Sequence, residues 1–275
     1  MKRLFSLLLA LAIVLPSCGS NPGGVSGSYT ADELWLQNGS NRIFGILYRP
    51  EGVEKAPVVI VSHGYGGTHQ AGKDYAEALA PMGYAVYMYD FCGGSNHSRS
   101  DGKTTQMSIF SEAGDLKAVI DALGEKEYID GDYVTLIGES QGGMVSSLVA
   151  AERGSDIERL ILIYPALCIK DDWVKMYPAL SDMPQEVDFW GMKLGHAYLE
   201  GLYDLDVYKT ISQYEGPVSI FHGDKDQVVS VSYSERAKEA YKNATLTVLP
   251  GEGHGFSAKA RKGVIAAICQ TLSGK

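Results

Sequence analysis

A chain of 275 residues with 45% hydrophobic and 21% charged content can bury a full core and reads as one domain. Its formal charge of -9 repels polyanions, and no basic stripe interleaved with aromatics overrides that balance, which excludes nucleic acid as a partner class. No Cys-x-x-Cys, His-Glu-x-x-His or phosphate-cradling Gly-x-x-x-x-Gly-Lys-[Ser/Thr] occurs, nor Gly-x-Gly-x-x-Gly after a strand, so neither a metal nor a cofactor is expected.

The amino-terminal residues read as an export signal, in which Lys2 and Arg3 precede an apolar stretch, Leu4 to Leu15, too short to cross a bilayer comfortably. Removal of residues 1–17 leaves 22 basic against 33 acidic residues, a balance of -11. Leu15, Pro16, Ser17 and Cys18 resemble a bacterial lipobox, which implies that Cys18 becomes the lipid-modified start of the mature chain. Residues 18–28, rich in Gly, Ser, Asn and Pro, suit a flexible tether. The expected product is a lipid-anchored envelope protein, or otherwise a periplasmic or secreted one, touching a membrane only through that anchor. With Cys18 acylated, Cys92, Cys168 and Cys269 are left, an odd number that supports at most one disulfide.

Leu34 to Leu36 and Arg42 to Tyr48 flank Asn38-Gly39-Ser40-Asn41, and the Asn-Gly pair tolerates the positive backbone angles of a hairpin turn. Strand and helix signals then alternate: Val58 to Ser62, a helix near Gly72 to Met82, Tyr84 to Tyr89, a helix near Ser108 to Leu123, Tyr133 to Ile137, a helix after Ser140, and Leu160 to Tyr164. Short apolar runs alternating with helices predict a mostly parallel sheet covered on both faces, with ligands bound at the carboxyl ends of the strands. The alternation breaks at residues 166–216, longer than one crossover needs, and this insertion is expected to be a lid. It carries Trp173, Tyr177, Phe189, Trp190, Tyr198, Tyr203 and Tyr208, rings suited to an aromatic substrate or simply to packing the lid on the core. Further strands are expected at Pro217 to Phe221 and Ala244 to Leu249, and a last helix closes the domain.

Chemistry concentrates where these runs end. Ser140 lies in Gly138-Glu139-Ser140-Gln141-Gly142 between a strand and a helix, where small residues two before and two after the serine let backbone pass closely and push its hydroxyl outward. A serine hydroxyl needs a base to take its proton and an acid to orient that base, and in this arrangement both lie downstream, the acid first. His222-Gly223-Asp224-Lys225-Asp226 follows one strand, and the glycine-rich loop Pro250 to Phe256, carrying His254, follows the next. His222 abuts its strand and reads as structural. The amide of Gln141, at a helix start, points at the place where an oxyanion forms. Ser62-His63-Gly64-Tyr65-Gly66-Gly67, after an earlier strand, has the form of the loop that supplies a second donor, with His63 organising it.

These segments resemble the serine α/β-hydrolase family and, within it, the cinnamoyl and feruloyl esterase-like branch, over nearly the whole mature chain. The resemblance implies an α/β fold with a mostly parallel eight-stranded sheet, helices on both faces and a lid insertion. It maps the triad acid onto Asp226 and the base onto His254, leaving Asp224 to accept turn amides. It makes the Tyr65 amide the second oxyanion donor, and it offers Asp172 and Tyr198 as polar contacts to a phenolic ring. Asp90 to Asp101 resembles a family loop near the site, where His97 and Arg99 are weaker candidates for substrate contact.

The expected activity is therefore carboxylic ester hydrolysis through an acyl-enzyme, on hydroxycinnamate esters or other small aryl and alkyl esters. A serine peptidase or an acyl thioesterase uses the same machinery, and a non-catalytic ligand-binding lipoprotein is the alternative of another class.

Overall fold

The computed structural model describes residues 27–274, so the expected leader, Cys18 and all but the end of the tether lie outside the described residues. The chain opens with β1 (Tyr29–Asn38) and β2 (Asn41–Pro50), an antiparallel hairpin in which Asn38 pairs with Asn41. Only Gly39 of the turn has a positive φ, 56°, and the two central residues are Gly39 and Ser40, one residue later than an Asn38-Gly39 centre. Six more strands complete the main sheet: β3 (Ala56–Ser62), β4 (Ala85–Tyr89), β5 (Ile129–Glu139), β6 (Arg159–Ile163), β9 (Val218–Gly223) and β10 (Ala244–Leu249). The eight strands run β1-β2-β4-β3-β5-β6-β9-β10, antiparallel as far as β4 and parallel from there on.

Alternation along each central strand sends neighbours to opposite faces. Val58 and Ile60 join the cluster formed with α2 (Ile109–Gly124) and α3 (Gln141–Arg153), while Val59 and Val61 join that formed with α1 (Lys73–Leu79) and α7 (Ala258–Ser273). All four β3 side chains are at most 2% exposed, each burial contributing about 1.5–3 kcal/mol. Both faces are apolar, which is why β3 to β6 read as continuous hydrophobic runs. Ser108 starts α2 with a capping box, its hydroxyl accepting from the Ser111 amide while Ser111 accepts in return.

Between β6 and β9 the chain forms α4 (Ile169–Met176), a small hairpin of β7 (Glu186–Phe189) and β8 (Met192–Gly195), and α5 (Val207–Ile211). Trp173, Met183, Met192, Leu194, Tyr198 and Leu202 of this segment are buried in the same cluster as α2 and α3, so most of its rings pack onto the body. The hairpin tip is an exception. Trp190 and Gly191 both take positive φ (49° and 80°), as a two-residue primed turn requires, and Trp190 stays 69% exposed.

Two elements depart from the sequence reading. Strand β5 starts at Ile129, because Ile129 and Asp130 pair with Ala56 and Pro57 before a register shift that skips Gly131 to Tyr133. Residues 231–240 form a helix, α6 (Val231–Ala240), whose buried residues are only Ser234 and Ala237, a stripe too narrow to signal itself. No disulfide joins Cys92, Cys168 and Cys269, and no helix among the described residues is long and apolar enough to cross a membrane.

Candidate active site

Strand β5 ends in a turn so tight that Ser140 is forced to φ 51° and ψ -115°, a region costing on the order of 1–3 kcal/mol for a residue with a side chain. Its neighbours hold it there. The Ser140 amide donates to the Ile163 carbonyl (2.9 Å), and its carbonyl accepts from the Ala166 amide (2.8 Å). Gly138 and Gly142 are obligatory, since a Cβ on the first would meet the Gly142 carbonyl oxygen at 2.4 Å and one on the second the Ser62 carbonyl oxygen at 2.3 Å.

The loop after β10 brings His254 over the elbow, with Nε2 2.9 Å from Ser140 Oγ and Nδ1 2.8 Å from Asp226 Oδ2. Because a carboxylate can only accept, Nδ1 carries the proton and the bare Nε2 faces the serine hydroxyl. The ring of Tyr164, at φ 37°, packs 4.5 Å from the imidazole, and Phe256 closes on Tyr164 from behind at 4.8 Å. Glu252 accepts from both the amide and the hydroxyl of Ser257 at the start of α7, tying down the far end of the loop. Asp224 accepts from the Gly251 amide (2.6 Å), stapling the loop after β9 to the loop after β10.

The Asp226 side chain is fully buried. Burial raises its pKa, but the Val229 amide, the His254 ring and the Val228 amide together hold the carboxyl below the usual carboxylate range. Oδ1 accepts from the Val228 and Val229 amides at 2.8 and 2.9 Å, leaving Oδ2 for His254. His222 is fully buried, as expected of a structural histidine, and it also reaches the acid, with Nε2 3.1 Å from the same Oδ2.

Gly64 to Gly67 form a turn closed by the Gly67 amide donating to the Gly64 carbonyl (3.0 Å), with the positive φ of 67° on Gly66 that a type II turn places there. The Tyr65 amide takes no part in that bond. The turn lies against the serine, since a Cβ on Gly64 would fall 3.1 Å from Ser140 Cβ. Gln141 opens α3, where the first amides have no intrahelical acceptor and the helix dipole favours negative charge. The turn that carries the Tyr65 amide and the helix start that carries the Gln141 amide thus both adjoin Ser140. His63 donates from Nδ1 to the Gly64 carbonyl (2.7 Å) and accepts at Nε2 from the Phe91 amide (3.2 Å), and burial lowers its pKa, so it shapes the loop as a neutral ring.

The side chain of Gln141 carries a connection that sequence reasoning missed. Its Oε1 accepts from the Tyr198 hydroxyl (2.7 Å) and its Nε2 donates to Glu112 Oε2 (2.8 Å). This revises the expectation for Tyr198, which is 2% exposed and has its hydroxyl committed to the residue after the serine, leaving none to offer a phenolic substrate. Asp172 sits exposed on α4, one turn from the buried Cys168 thiol that it contacts. Arg99 is also revised: it forms a bidentate pair with Glu33 (2.7 and 3.2 Å) and lies over the Phe44 ring, occupied at the β1 edge. His97 does face a cleft of about 400 Å³, lined also by Tyr65, Gly66, Ser95, Asn96 and the tip residues Trp190 to Met192.

The comparisons with known proteins agree with this architecture. The family model described as Serine aminopeptidase, S33, matches residues 54–197. Est1E from Butyrivibrio proteoclasticus, solved with ferulic acid bound, superposes with a TM-score of 0.79 at 26% identity, covering 87% of this chain and 97% of that one. The monoglyceride lipase of Mus musculus is 32% identical over 127 residues, 45% of this chain and only 39% of the lipase. Alpha/beta hydrolase domain-containing protein 10 from mouse shares the fold, with a TM-score of 0.72 at 16% identity over 88% of this chain and 99% of that one. The chain is a serine hydrolase of the esterase and lipase type. With the elbow, the strand-end loops and these likenesses in hand, it belongs to the serine α/β-hydrolases of the group described as Serine aminopeptidase, S33.

Proposed function

We propose that the protein hydrolyses carboxylic esters through an acyl-enzyme on Ser140, with hydroxycinnamate esters of the feruloyl type or other small aryl and alkyl esters as substrates. One observation carries the proposal: the unbroken chain from Ser140 Oγ to His254 Nε2 (2.9 Å) and from His254 Nδ1 to Asp226 Oδ2 (2.8 Å). His254 takes the hydroxyl proton as the oxygen attacks the ester carbonyl, and Asp226 stabilises the imidazolium that forms. The amides of Tyr65 and Gln141 receive the oxyanion, each such donor being worth about 10²–10³ in rate. His254 then protonates the departing alkoxide, deprotonates a water, and that water releases the acid and restores Ser140.

Support for an aromatic acyl or alcohol group comes from the rings around the cleft, where Tyr65 meets Phe189, Trp190 and Tyr198 edge to face at 5.5, 6.0 and 6.4 Å. Est1E, which binds ferulic acid, is similar over most of its length. The family description favours a second reading, a serine aminopeptidase. Such an enzyme must also hold the substrate's ammonium group. A panel of methyl ferulate, short nitrophenyl esters, acyl thioesters and aminoacyl amides separates the readings. Turnover of esters that Ser140→Ala abolishes supports the proposal, and turnover of aminoacyl amides alone overturns it.

We also propose that the chain is exported and lipid-anchored at Cys18. Labelled palmitate should enter the full chain in its bacterial host and be absent from Cys18→Ala; equal labelling of both would remove the anchor.

A further inference from the structure

The carboxylate oxygen that orients His254 has a second imidazole on it. Asp226 Oδ2 lies 2.8 Å from His254 Nδ1 and 3.1 Å from His222 Nε2, and His222 Nε2 is also 2.9 Å from the Val229 carbonyl. Two oxygens that can only accept face this nitrogen, so it must carry a proton. The other ring nitrogen, Nδ1, is 2.7 Å from the hydroxyl of Ser234 on α6, which can donate to it. Both His222 and Ser234 are fully buried, so no water competes for either bond. Burial pushes the His222 pKa down, which agrees with a neutral ring in this one tautomer.

We propose that His222, locked by Ser234, is a positioning residue that sets how much negative charge Asp226 presents to His254. This inference rests on the reading of Ser140, His254 and Asp226 as a catalytic triad. The His222 N–H, bonded to the Val229 carbonyl at 2.9 Å, places its positive end 3.1 Å from Oδ2 and so offsets part of the charge there, while the Val228 and Val229 amides on Oδ1 keep the carboxylate from rotating. Each oxygen then has a fixed job: Oδ1 holds the loop and Oδ2 meets the base. A carboxylate stripped of the His222 donor would attract the His254 imidazolium more strongly and hold it less steadily.

The polar and titratable groups around this relay come from four directions. His222 reaches it from β9, the Val228 and Val229 amides from Asp226's own loop, Ser140 from the elbow, and the Tyr164 ring from the end of β6. The base needs to be unprotonated to act, so stronger attraction to its protonated form moves the acid limb of reactivity to higher pH.

The test uses the full chain and a fluorophosphonate probe, reading the labelling rate from about pH 5 to 9, the range in which an imidazole base titrates. His222→Met should label about tenfold more slowly at the plateau, with its acid limb moved up by about half a pH unit relative to wild type. His222→Gln, which can return an N–H near the Nε2 position, should recover most of both. Ser234→Ala should move the limb the same way by less, and it decides the matter should His222→Met fail to fold. A limb that stays at its wild-type position in His222→Met and in Ser234→Ala overturns the proposal, as does a His222→Gln variant no faster than His222→Met. Failure of wild type to label at all overturns the triad reading itself; wild-type labelling with unmoved limbs overturns this inference alone.

Discussion

The rim of the sheet and the insertion over it are built on different principles. At the rim every reacting side chain is held by directed hydrogen bonds: three reach the Asp226 carboxylate, beside which the His222 ring stands at 3.1 Å, His254 is bonded at both nitrogens, and the Ser140 backbone is strapped to the residues after β6. The insertion is held chiefly by buried rings, Trp173 packing 4.9 Å from Phe189 and 4.8 Å from Tyr198. Three side-chain hydrogen bonds link it to the site: Tyr65 to the Phe189 carbonyl (2.7 Å), Asn96 to the Gly191 carbonyl (2.9 Å) and Tyr198 to Gln141 (2.7 Å). Directed bonds fix positions to a fraction of an ångström, which proton transfer needs, while ring contacts tolerate sliding, which a shape-adapting wall needs. Rim substitutions should therefore act on rate and tip substitutions on substrate preference.

The sharpest way to break this division is at the triad. Ser140→Ala should remove ester turnover, and Asp226→Asn should lower it about 10⁴-fold by inverting the tautomer of His254, both with melting temperatures near wild type. Esterase assays paired with thermal melts read both quantities, and a triad variant with more than a tenth of wild-type turnover would erase the distinction.

Tyr198→Phe crosses the boundary between the two regions. It leaves the buried Gln141 Oε1 without its donor, which should cost about 1–3 kcal/mol of stability and lower kcat about tenfold with KM little changed, because the amide of Gln141 loses its brace. A variant that changes KM alone would return Tyr198 to the role of a substrate contact.

Trp190→Gly probes the tip. Relief of the left-handed backbone offsets the lost stacking on Phe189 (4.8 Å), so stability should hold while KM for aryl esters rises severalfold. Steady-state kinetics on methyl ferulate and a short alkyl ester check it, and equal losses on both would show that the tip does not select for rings.

The smallest effect concerns Glu112, fully buried with Oε1 lacking any hydrogen-bond partner among the described residues. Burial pushes its pKa well above the usual carboxylate range, against the hydrogen bond from Gln141. Since the folded state holds this proton more tightly than the unfolded chain does, its contribution is present below the ordinary glutamate pKa and is lost as pH climbs from there toward the raised value. Glu112→Gln should therefore raise the melting temperature by about 2–4 °C at pH 8 and change it less at pH 5. A gain of equal size at both pH values would show that the carboxyl is not carrying a proton.

Much of the rim was legible because each part announces itself locally. Apolar runs mark the strands, glycines flank the serine where backbone must pass within contact distance, and the acid and base fall in the loops after two successive strands. The supporting contacts were not legible, because they are made across elements. Nothing near Ser234 in the sequence indicates that its hydroxyl meets His222, and a glutamate on an amphipathic helix reads as solvated until the loop at Gly94 covers it. Tyr198 was offered by the family resemblance alone, which puts a ring in the insertion without showing which way its hydroxyl points. The exit of Arg99 toward Glu33 is of the same kind, since a polar loop residue has many partners within reach and only packing selects one.

The central claim, that three distant side chains form one proton relay on an activated serine, is tested most directly by mapping the covalent adduct of a fluorophosphonate probe by mass spectrometry. The account predicts one probe per chain, on the peptide containing Ser140, with no adduct in Ser140→Ala and very slow labelling in His254→Ala. An adduct on any other residue, or equal labelling of wild type and His254→Ala, would contradict it.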